Sequence, residues 1–408
     1  MMPWHVSMKF TLLVVAVLCA TSTNAVAQAR AFAVIKCKFS DQPDEPAFDS
    51  NLILGTNGMA GYWSAISYGQ ISLDGSAVFP ANGGWYTLPI TLADGAALSR
   101  AGRIQACVAA AGSDVDVSKF YSVIAIINAR LDSGAASGGV LLDPFAWNNS
   151  FAAHEIGHAF GLAHSADDAP TSYSPANDGR PGAYGNGWDI MSAMTFGNDR
   201  TTFSLIGTSG PGMCGPKLEK SGWMPANRVL NWDRTSSSTI TLAALNQPQA
   251  NGFLMAKVFI FPNRYYTVEF RRKKDWDQGI PRDTVLIHEV RPDGFSYLIR
   301  AAGGPERLAG ETFHDAANNI AISVLAIDPA SSTAVINIGR GEVWVDFNYS
   351  GPIELGTFNN PYNTLAEGVN TVAEDGTIRI KAGSRNETAV ITRKVKIESF
   401  GGPATIGR

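Results

Sequence analysis

The chain has 408 residues, which is too long for one ordinary hydrophobic core and predicts more than one domain. Hydrophobic residues make up 45% of it and charged residues 17%, a composition typical of a folded soluble protein and not of a disordered one. The net charge of -4 is too small to indicate a charged partner, and the lack of basic runs argues against nucleic acid as one.

The N-terminus has the features of an export signal. Lys9 precedes an apolar run over residues 10–20, and Ala25 and Ala27 are small residues at the positions that a signal peptidase reads. The run is shorter than the roughly 20 apolar residues of a membrane-spanning helix, and no later segment reaches that length. We therefore predict a signal peptide over residues 1–27, a secreted protein that is extracellular or periplasmic, and no retained membrane anchor.

Removal of this signal would leave three cysteines, Cys37, Cys107 and Cys214. An oxidising compartment permits one disulfide among them, with one thiol left over. The spacing does not select the pair, and the alternative is that all three are small buried apolar residues.

Two apolar segments precede the most informative part of the chain. Residues 121–127 predict a buried strand and residues 138–142 a shorter one. We interpret the second as a candidate sheet edge on which an extended peptide could pair, the alternative being an edge without a ligand.

Residues 154–164, His-Glu-Ile-Gly-His-Ala-Phe-Gly-Leu-Ala-His, are typical of a hydrolytic metal centre. On a helix, His154 and His158 lie one turn apart on one face, so both can bind one ion while Glu155 lies beside it. Asn148 offers a capping side chain at the start of that helix. Gly161 can adopt positive φ, which would end the helix and return the chain so that His164 supplies a third nitrogen. Three imidazoles at this spacing predict Zn²⁺.

The predicted chemistry follows from the properties of zinc. Three neutral imidazoles leave one coordination position free, and a water bound there has an apparent pKa of about 7. Glu155 would accept its proton as the water attacks a peptide carbonyl and then pass the proton to the departing amine. We therefore expect protein or peptide substrates.

Three acidic residues follow the motif. Asp167, Asp168 and Asp178 could hold a structural Ca²⁺ through carboxylate oxygens, and solvated acidic loops are the alternative.

Short strands separated by turn residues dominate the remainder of the chain. We predict them at residues 239–242, 255–261, 265–270, 284–290, 320–327 and 333–338. They favour an all-β domain over residues 235–345. In the last segment, 346–408, strands predicted at 376–383, 388–391 and 395–398 are similar to the first turns of a parallel β-helix, with a disordered tail as the alternative.

The long histidine motif followed by a methionine resembles the metzincin clan of zinc metallopeptidases. The resemblance implies that Met191 forms an apolar floor beneath the histidines, although Met194 competes for that position and either thioether could simply fill a core gap. Segments over residues 33–41, 62–69 and 218–223 are similar to gametolysin-like and immune-inhibitor-A-like secreted peptidases. One departure is that no tyrosine follows Met191 by two residues, where astacins and serralysins place one. Tyr184 or another donor could serve instead.

The resemblance covers about residues 30 to 340 and implies an α+β fold. We expect a metzincin-like peptidase domain over residues 30–232, built from a twisted sheet and an active-site helix. The all-β domain and a short β-solenoid-like C-terminal segment would follow it. The predicted function is a secreted zinc endopeptidase. The alternative is a noncatalytic secreted surface-binding protein with a structural or degenerate metal site, which would have no need of Glu155. Nothing in the sequence indicates cleavage specificity or oligomeric state.

Overall fold

The computed structural model describes residues 27–176, 178–192, 202–203, 207–208, 211–300 and 304–407, and it has a mixed α+β architecture. The α-helices are α1 Asn51–Leu54, α2 Met59–Ile66, α3 Leu92–Ala97, α4 Arg100–Ala111, α5 Asn149–Ala159, α6 Gly215–Lys220 and α7 Leu365–Thr371. The strands up to the end of the predicted peptidase domain are β1 Gln28–Ala29, β2 Phe32–Lys38, β3 Ile71–Ser72, β4 Ala77–Phe79, β5 Tyr86–Thr87, β6 Ser122–Ile127, β7 Gly134–Ala136, β8 Gly139–Leu142, β9 Ala166–Asp167, β10 Thr202–Phe203, β11 Gly207–Thr208 and β12 Val229–Trp232. The remaining strands are β13 Ser238–Ala243, β14 Met255–Phe261, β15 Arg264–Arg271, β16 Thr284–Val290, β17 Ser296–Leu298, β18 Thr312–Asp315, β19 Ile320–Asp328, β20 Thr333–Val345, β21 Val372–Arg385 and β22 Lys396–Ile406.

The first large sheet has the strand order β4-β2-β6-β8-β7, with β5 also paired to β2. Its strands run parallel except β7, which pairs antiparallel with β8. The predicted strands at 121–127 and 138–142 are therefore confirmed as β6 and β8, but the prediction that β8 is the sheet edge is wrong. The short β7 covers it, because the glycines at residues 134, 138 and 139 allow the tight reversal that folds β7 back.

Both faces of this sheet are buried, as expected for parallel strands. Alternate residues point to opposite faces, so Val34 and Ile124 enter the core beneath α2 and α5, while Ile35 and Ala125 enter the core beneath α4. The active-site helix predicted from the motif thus lies on one face of the sheet, and α4 lies on the other.

The three cysteines are free and buried. Cys37 on β2 and Cys107 on α4 belong to the core beneath α4, and their side chains are within hydrogen-bonding reach of each other. Cys214 lies elsewhere, at the start of α6. The fold therefore places only one pair among the three in contact.

A second six-stranded sheet has the order β12-β14-β15-β16-β17-β9. The predicted strands at 255–261, 265–270 and 284–290 are confirmed as β14, β15 and β16. Strand β9 comes from the peptidase part of the chain, directly after the histidine motif, and pairs with β17 in parallel. Strands from both sides of the predicted boundary at residue 232 thus share one sheet, which joins the segment after the histidine motif to strands of the predicted all-β domain.

The third large sheet has the order β18-β19-β20-β21-β22, with β13 on β20. The predicted strands at 239–242, 320–327 and 333–338 are confirmed within β13, β19 and β20. Strands β20, β21 and β22 pair in parallel, as stacked solenoid turns do, but the described residues form no closed solenoid, and the β-helix stays a prediction. Residues 388–391 are not a strand, and the unpredicted α7 begins with a capping box between Thr364 and Glu367.

Two predictions fall outside the described residues. They are the signal peptide, apart from its last residue, and the alternative floor residue Met194. Among the helices that the structure describes, none is long and apolar enough to cross a membrane.

Candidate metal centre

Helix α5 carries the first two histidines, and it begins where the sequence predicts. Asn148 caps it by accepting a 3.0 Å hydrogen bond from the backbone nitrogen of Phe151. Gly157, in the middle of the motif, lets the helix pack closely: a Cβ at this position would lie 2.5 Å from Met191 Sδ and 3.3 Å from the Trp63 ring. The glycine between His154 and His158 is thus required by packing beneath the helix.

The chain reverses directly after the helix. Gly161 has φ +82, and its backbone nitrogen donates to the carbonyl of His158 at 2.9 Å. Leu162 then donates to the carbonyl of Gly157 at 3.0 Å, which closes the reversal. This local geometry, which the sequence predicts, returns His164 towards the helix.

The three histidines converge. One ligand nitrogen from each of His154, His158 and His164 lies within 4.8 Å of the others, and the Nε2 atoms of His154 and His158 are 3.1 Å apart. Among the described residues, these histidines form the one cluster of at least three His, Cys, Asp or Glu side chains that could hold a metal ion. Asp167, Asp168 and Asp178 form no such group there, and structural calcium stays a prediction.

Each histidine is oriented by an acceptor at its outer nitrogen. Nδ1 donates to the Ile190 carbonyl at 2.9 Å in His154, to the Leu162 carbonyl at 2.8 Å in His158, and to the Asp178 carboxylate at 3.3 Å in His164. Carbonyl oxygens can only accept, and the same holds for the Asp178 carboxylate, whose pKa is lowered by the Arg180 N–H and guanidinium against the effect of burial. These bonds therefore place the proton on Nδ1 and leave the Nε2 lone pair for a metal.

Burial favours the neutral imidazoles that a metal needs. It lowers the pKa of His154 to about 3 and that of His164 to about 4, with the neighbouring His158 as a further cause in both. Burial lowers the pKa of His158 as well. Three neutral nitrogens with fixed tautomers therefore fit Zn²⁺, which prefers imidazole nitrogen at such sites.

Glu155 directly follows His154 on α5, and its carboxylate is held by β7, the edge strand of the first sheet. Its Oε2 accepts a 2.8 Å hydrogen bond from the backbone nitrogen of Ala135 on β7. Burial raises the pKa of this carboxyl to about 7, although the Ala135 N–H and the Arg100 guanidinium both act to lower it. Such a carboxyl can exchange a proton near neutral pH, as a general base or acid must.

Met191 is fully buried in a turn that supports the first histidine. Its backbone nitrogen donates to Asp189 Oδ1 at 2.8 Å, and its sulfur lies against the backbone of Gly157. Ile190, between them, supplies the carbonyl that orients His154. The structure thus places Met191 beneath the helix that carries two of the three histidines.

The turn is anchored by buried charges. Burial acts to raise the pKa of Asp189, but the nearby Lys217 ammonium and the Cys214 N–H hold it at about 2, so the residue is a carboxylate. Cys214 donates to its Oδ2 at 2.8 Å, and the Lys217 Nζ atom is 3.7 Å from its Oδ1. The carboxylate therefore joins the turn to the start of α6.

The sequence did not assign the positions of two contributors to the site. Asp178, which the sequence offered for calcium binding or for a solvated loop, orients His164. Tyr184, which the sequence offered only as a candidate donor, places its hydroxyl 2.6 Å from Nε2 of His164. Neither has a spacing signal, because both come from the irregular loop that follows the motif and reach the site only through tertiary contacts.

The helix, the converging histidines and the adjacent carboxylate support a zinc metallopeptidase of the metzincin type. The sequence model of the metallo-peptidase family M12B, reprolysin-like, matches residues 108–205, a segment that contains all three histidines, Glu155 and Met191. This supports a metalloprotease, and a peptidase domain implies protein or peptide substrates. A search of curated proteins found no match to the chain.

Proposed function

We propose that the protein is a secreted zinc-dependent endopeptidase, related to the gametolysin-like and immune-inhibitor-A-like peptidases. The observation that carries this proposal is the convergence of one ligand nitrogen from each of three histidines, on the helix that also carries a buried carboxyl of raised pKa. A zinc ion held by His154, His158 and His164 would supply Lewis-acid polarisation and a water of lowered pKa.

Glu155 is assigned the proton transfers. It accepts a proton from the attacking water and delivers it to the amine of the cleaved peptide bond. The Ala135 N–H orients the carboxylate for this, since it binds one oxygen and leaves the other available. A surface-binding protein with a structural metal site would gain nothing from a buried acid here, so Glu155 favours catalysis over that alternative.

The peptide substrate is proposed to lie along β7, the sheet edge beside Glu155. Ala135 turns its carbonyl away from the sheet, where it accepts a 3.2 Å bond from Arg100. Arg100 is itself held by both oxygens of Asp132, at 3.0 and 2.8 Å. A substrate strand that pairs at Ala135 must therefore replace Arg100 at this carbonyl.

Casein hydrolysis by the full chain tests the proposal. We expect activity that a chelator abolishes and zinc restores. We further expect Glu155→Gln to retain zinc while losing about 10²- to 10⁴-fold in rate, the usual contribution of a general base. Glu45→Gln, which removes a surface carboxylate paired with Lys38, is the matched control and should keep full activity. Full activity in Glu155→Gln, or activity that resists the chelator, would contradict the proposal.

Secretion is proposed from the N-terminal sequence. Sequencing of the N-terminus of exported material should find cleavage near Ala27, and an intact leader would argue against export by this route.

A further inference from the structure

The third sheet carries three aromatic rings on its outward face. Val343 and Val345 of β20 are fully buried, and side chains alternate along a strand, so Trp344 between them points outward. Its ring packs edge-to-face against Phe358, with centroids 4.9 Å apart, and against Phe400, at 5.1 Å. Phe358 and Phe400 remain 48% and 45% exposed. A group of apolar rings that water can reach is a candidate binding surface.

The loop that carries Phe358 is held in place by backbone hydrogen bonds. The backbone nitrogen of Trp344 donates to the Gly356 carbonyl at 2.9 Å, which joins the loop to β20. Gly356 has φ +63, a conformation that favours glycine. At the tip of the loop, the backbone nitrogen of Thr357 donates to the Asn360 carbonyl at 3.2 Å. The turn therefore fixes Phe358 in its exposed position.

Two of the rings, those of Trp344 and Phe358, line a cleft of about 460 Å³, a size typical of sites for small ligands. Part of its lining comes from the turn between β18 and β19. Asn319 in this turn donates from Nδ2 to the Glu342 carbonyl at 2.6 Å, and its Oδ1 accepts from the Glu342 backbone nitrogen at 2.7 Å. The cleft also has polar lining side chains, namely His314, Asp315, Asn319, Glu342, Thr357 and Thr377.

Glu342 supplies this cleft with a carboxylate of fixed orientation. Its Oε1 accepts a 2.9 Å hydrogen bond from Trp344 Nε1, and its Oε2 accepts one from Arg379 Nε at 2.5 Å. A carboxylate can accept about four hydrogen bonds, so both oxygens retain capacity for a further donor. The Glu342 side chain is 41% exposed, and a hydroxyl group can therefore approach it from solvent.

The charged side chains of this face neutralise one another. Three cations pair with three carboxylates there, at 2.5 to 3.4 Å: Arg379 with Glu342 and Glu398, Lys396 with Glu398, and Lys381 with Asp346. Because these pairs carry no net charge, they give no attraction to a nucleic acid or to an anionic lipid surface. The cleft instead suits an uncharged ligand that has an apolar face for the rings and hydroxyl groups for the carboxylate. A sugar ring has both features.

We propose that this cleft binds a neutral polysaccharide, with one sugar ring packed on Trp344 and Phe358 and a sugar hydroxyl donating to Glu342. The inference goes beyond the proposed function, because the cleft shares no residue with the three histidines of the metal centre. Such a site would retain the chain on a surface that carries the polysaccharide.

Binding of the full chain to insoluble cellulose, chitin, starch granules and mannan tests the proposal. We expect at least one of these neutral polymers to deplete the chain from solution, equally at low and at high salt, because binding replaces no ion pair. Trp344→Ala and Phe358→Ala should each weaken this binding by about 10-fold or more, as truncation of a central aromatic residue usually does. Phe261→Ala, which removes a 57%-exposed ring of the second sheet, is the matched control and should bind as the wild-type chain does.

The remaining outcomes overturn the proposal. They are failure to bind any of the four polymers, binding that survives both Trp344→Ala and Phe358→Ala, and salt-sensitive retention on heparin beads alone, which would indicate an anionic ligand. Melting temperatures establish that the variants are folded. Phe358 lies at an exposed turn, so its replacement should leave the melting temperature unchanged, and this variant decides the test if Trp344→Ala does not fold.

Discussion

Arg271, a fully buried cation of the second sheet, provides the sharpest test of how this structure supports its metal site. Its guanidinium donates to both oxygens of Asp277, at 2.9 Å for Nε to Oδ2, and to the Trp188 carbonyl at 2.8 Å. Glu269 Oε1 lies 3.4 Å from its Nη1. Arg271→Met keeps most of the volume but leaves a buried carboxylate without its cation.

The expected loss of stability is large. Removing one partner of a buried ion pair costs about 3–5 kcal/mol, because the remaining charge stays desolvated. Glu269 adds little to this, since burial already raises its pKa to about 7 and it can take up a proton when the cation is lost. At about 2–4 °C per kcal/mol for a large domain, the melting temperature should fall by about 6–20 °C.

The same change should weaken zinc binding through a chain of hydrogen bonds. Asp277 Oδ1 accepts from the Gly212 nitrogen at 2.8 Å, and the Gly212 carbonyl accepts from Ile190 at 3.0 Å. The Ile190 carbonyl in turn orients Nδ1 of His154 at 2.9 Å. Loss of a hydrogen bond that orients a metal-binding histidine typically reduces metal affinity by about 10- to 100-fold.

Thermal melting and chelator competition for zinc measure the two effects. Arg264→Met is the matched control: it lies on the same strand, but its ion pair with Glu289 is partly exposed, so its removal should cost less than about 1 kcal/mol. If Arg271→Met melts at the temperature of Arg264→Met, or binds zinc as tightly as the wild-type chain, the reasoning from buried charge is refuted.

Three further predictions concern packing, pH and the cysteines. Gly157→Ala should lower the free energy of unfolding by about 1–3 kcal/mol, because its new Cβ collides with the Met191 sulfur. Gly102→Ala, whose added Cβ meets nothing closer than 3.4 Å, should raise it by up to about 1 kcal/mol. Thermal melting measures both variants, and a shift of the melting temperature in the same direction for the two would contradict this. Burial raises the pKa of Glu269 from 4.5 to about 7, so its contribution to stability is present below pH 4.5 and lost as pH rises through 7. Between pH 6 and 8 the free energy of unfolding of the wild-type chain should therefore fall more than that of Glu269→Gln. Denaturant unfolding at both pH values measures this, and equal losses in the two chains would contradict it. In exported material, mass spectrometry of peptides should find Cys37 bound to Cys107, and a different pairing would contradict the contact seen in the fold.

The active-site helix and its reversal could be predicted because their determinants are local. The helical repeat alone places His154 and His158 on one face, Asn148 caps within three residues, and Gly161 reverses the chain within the next turn. Six strands of the second and third sheets, β13, β14, β15, β16, β19 and β20, were equally accessible, since alternation and turn residues mark them without reference to any partner.

The edge strand of the first sheet, β7, could not be predicted from a local sequence pattern. The three residues of β7 are small, show no alternation, and become a strand only by pairing with β8. The pairing of β9 with β17 joins positions more than 120 residues apart, so no local pattern reports it. The missed helix α7 is different, because the capping box at Thr364 and Glu367 was present in the sequence.

The sequence by itself determined the chemistry of this protein: which nitrogens could hold a metal and which carboxyl could carry a proton. Only the tertiary structure decided what surrounds them, namely the Ala135 N–H on Glu155, the phenol of Tyr184 and the buried Arg271 behind the turn. The physical reason is one of range. A helical turn is specified by hydrogen bonds between residues four apart. These three contacts depend instead on how separate sheets and loops pack, and the sequence next to each residue does not specify that packing.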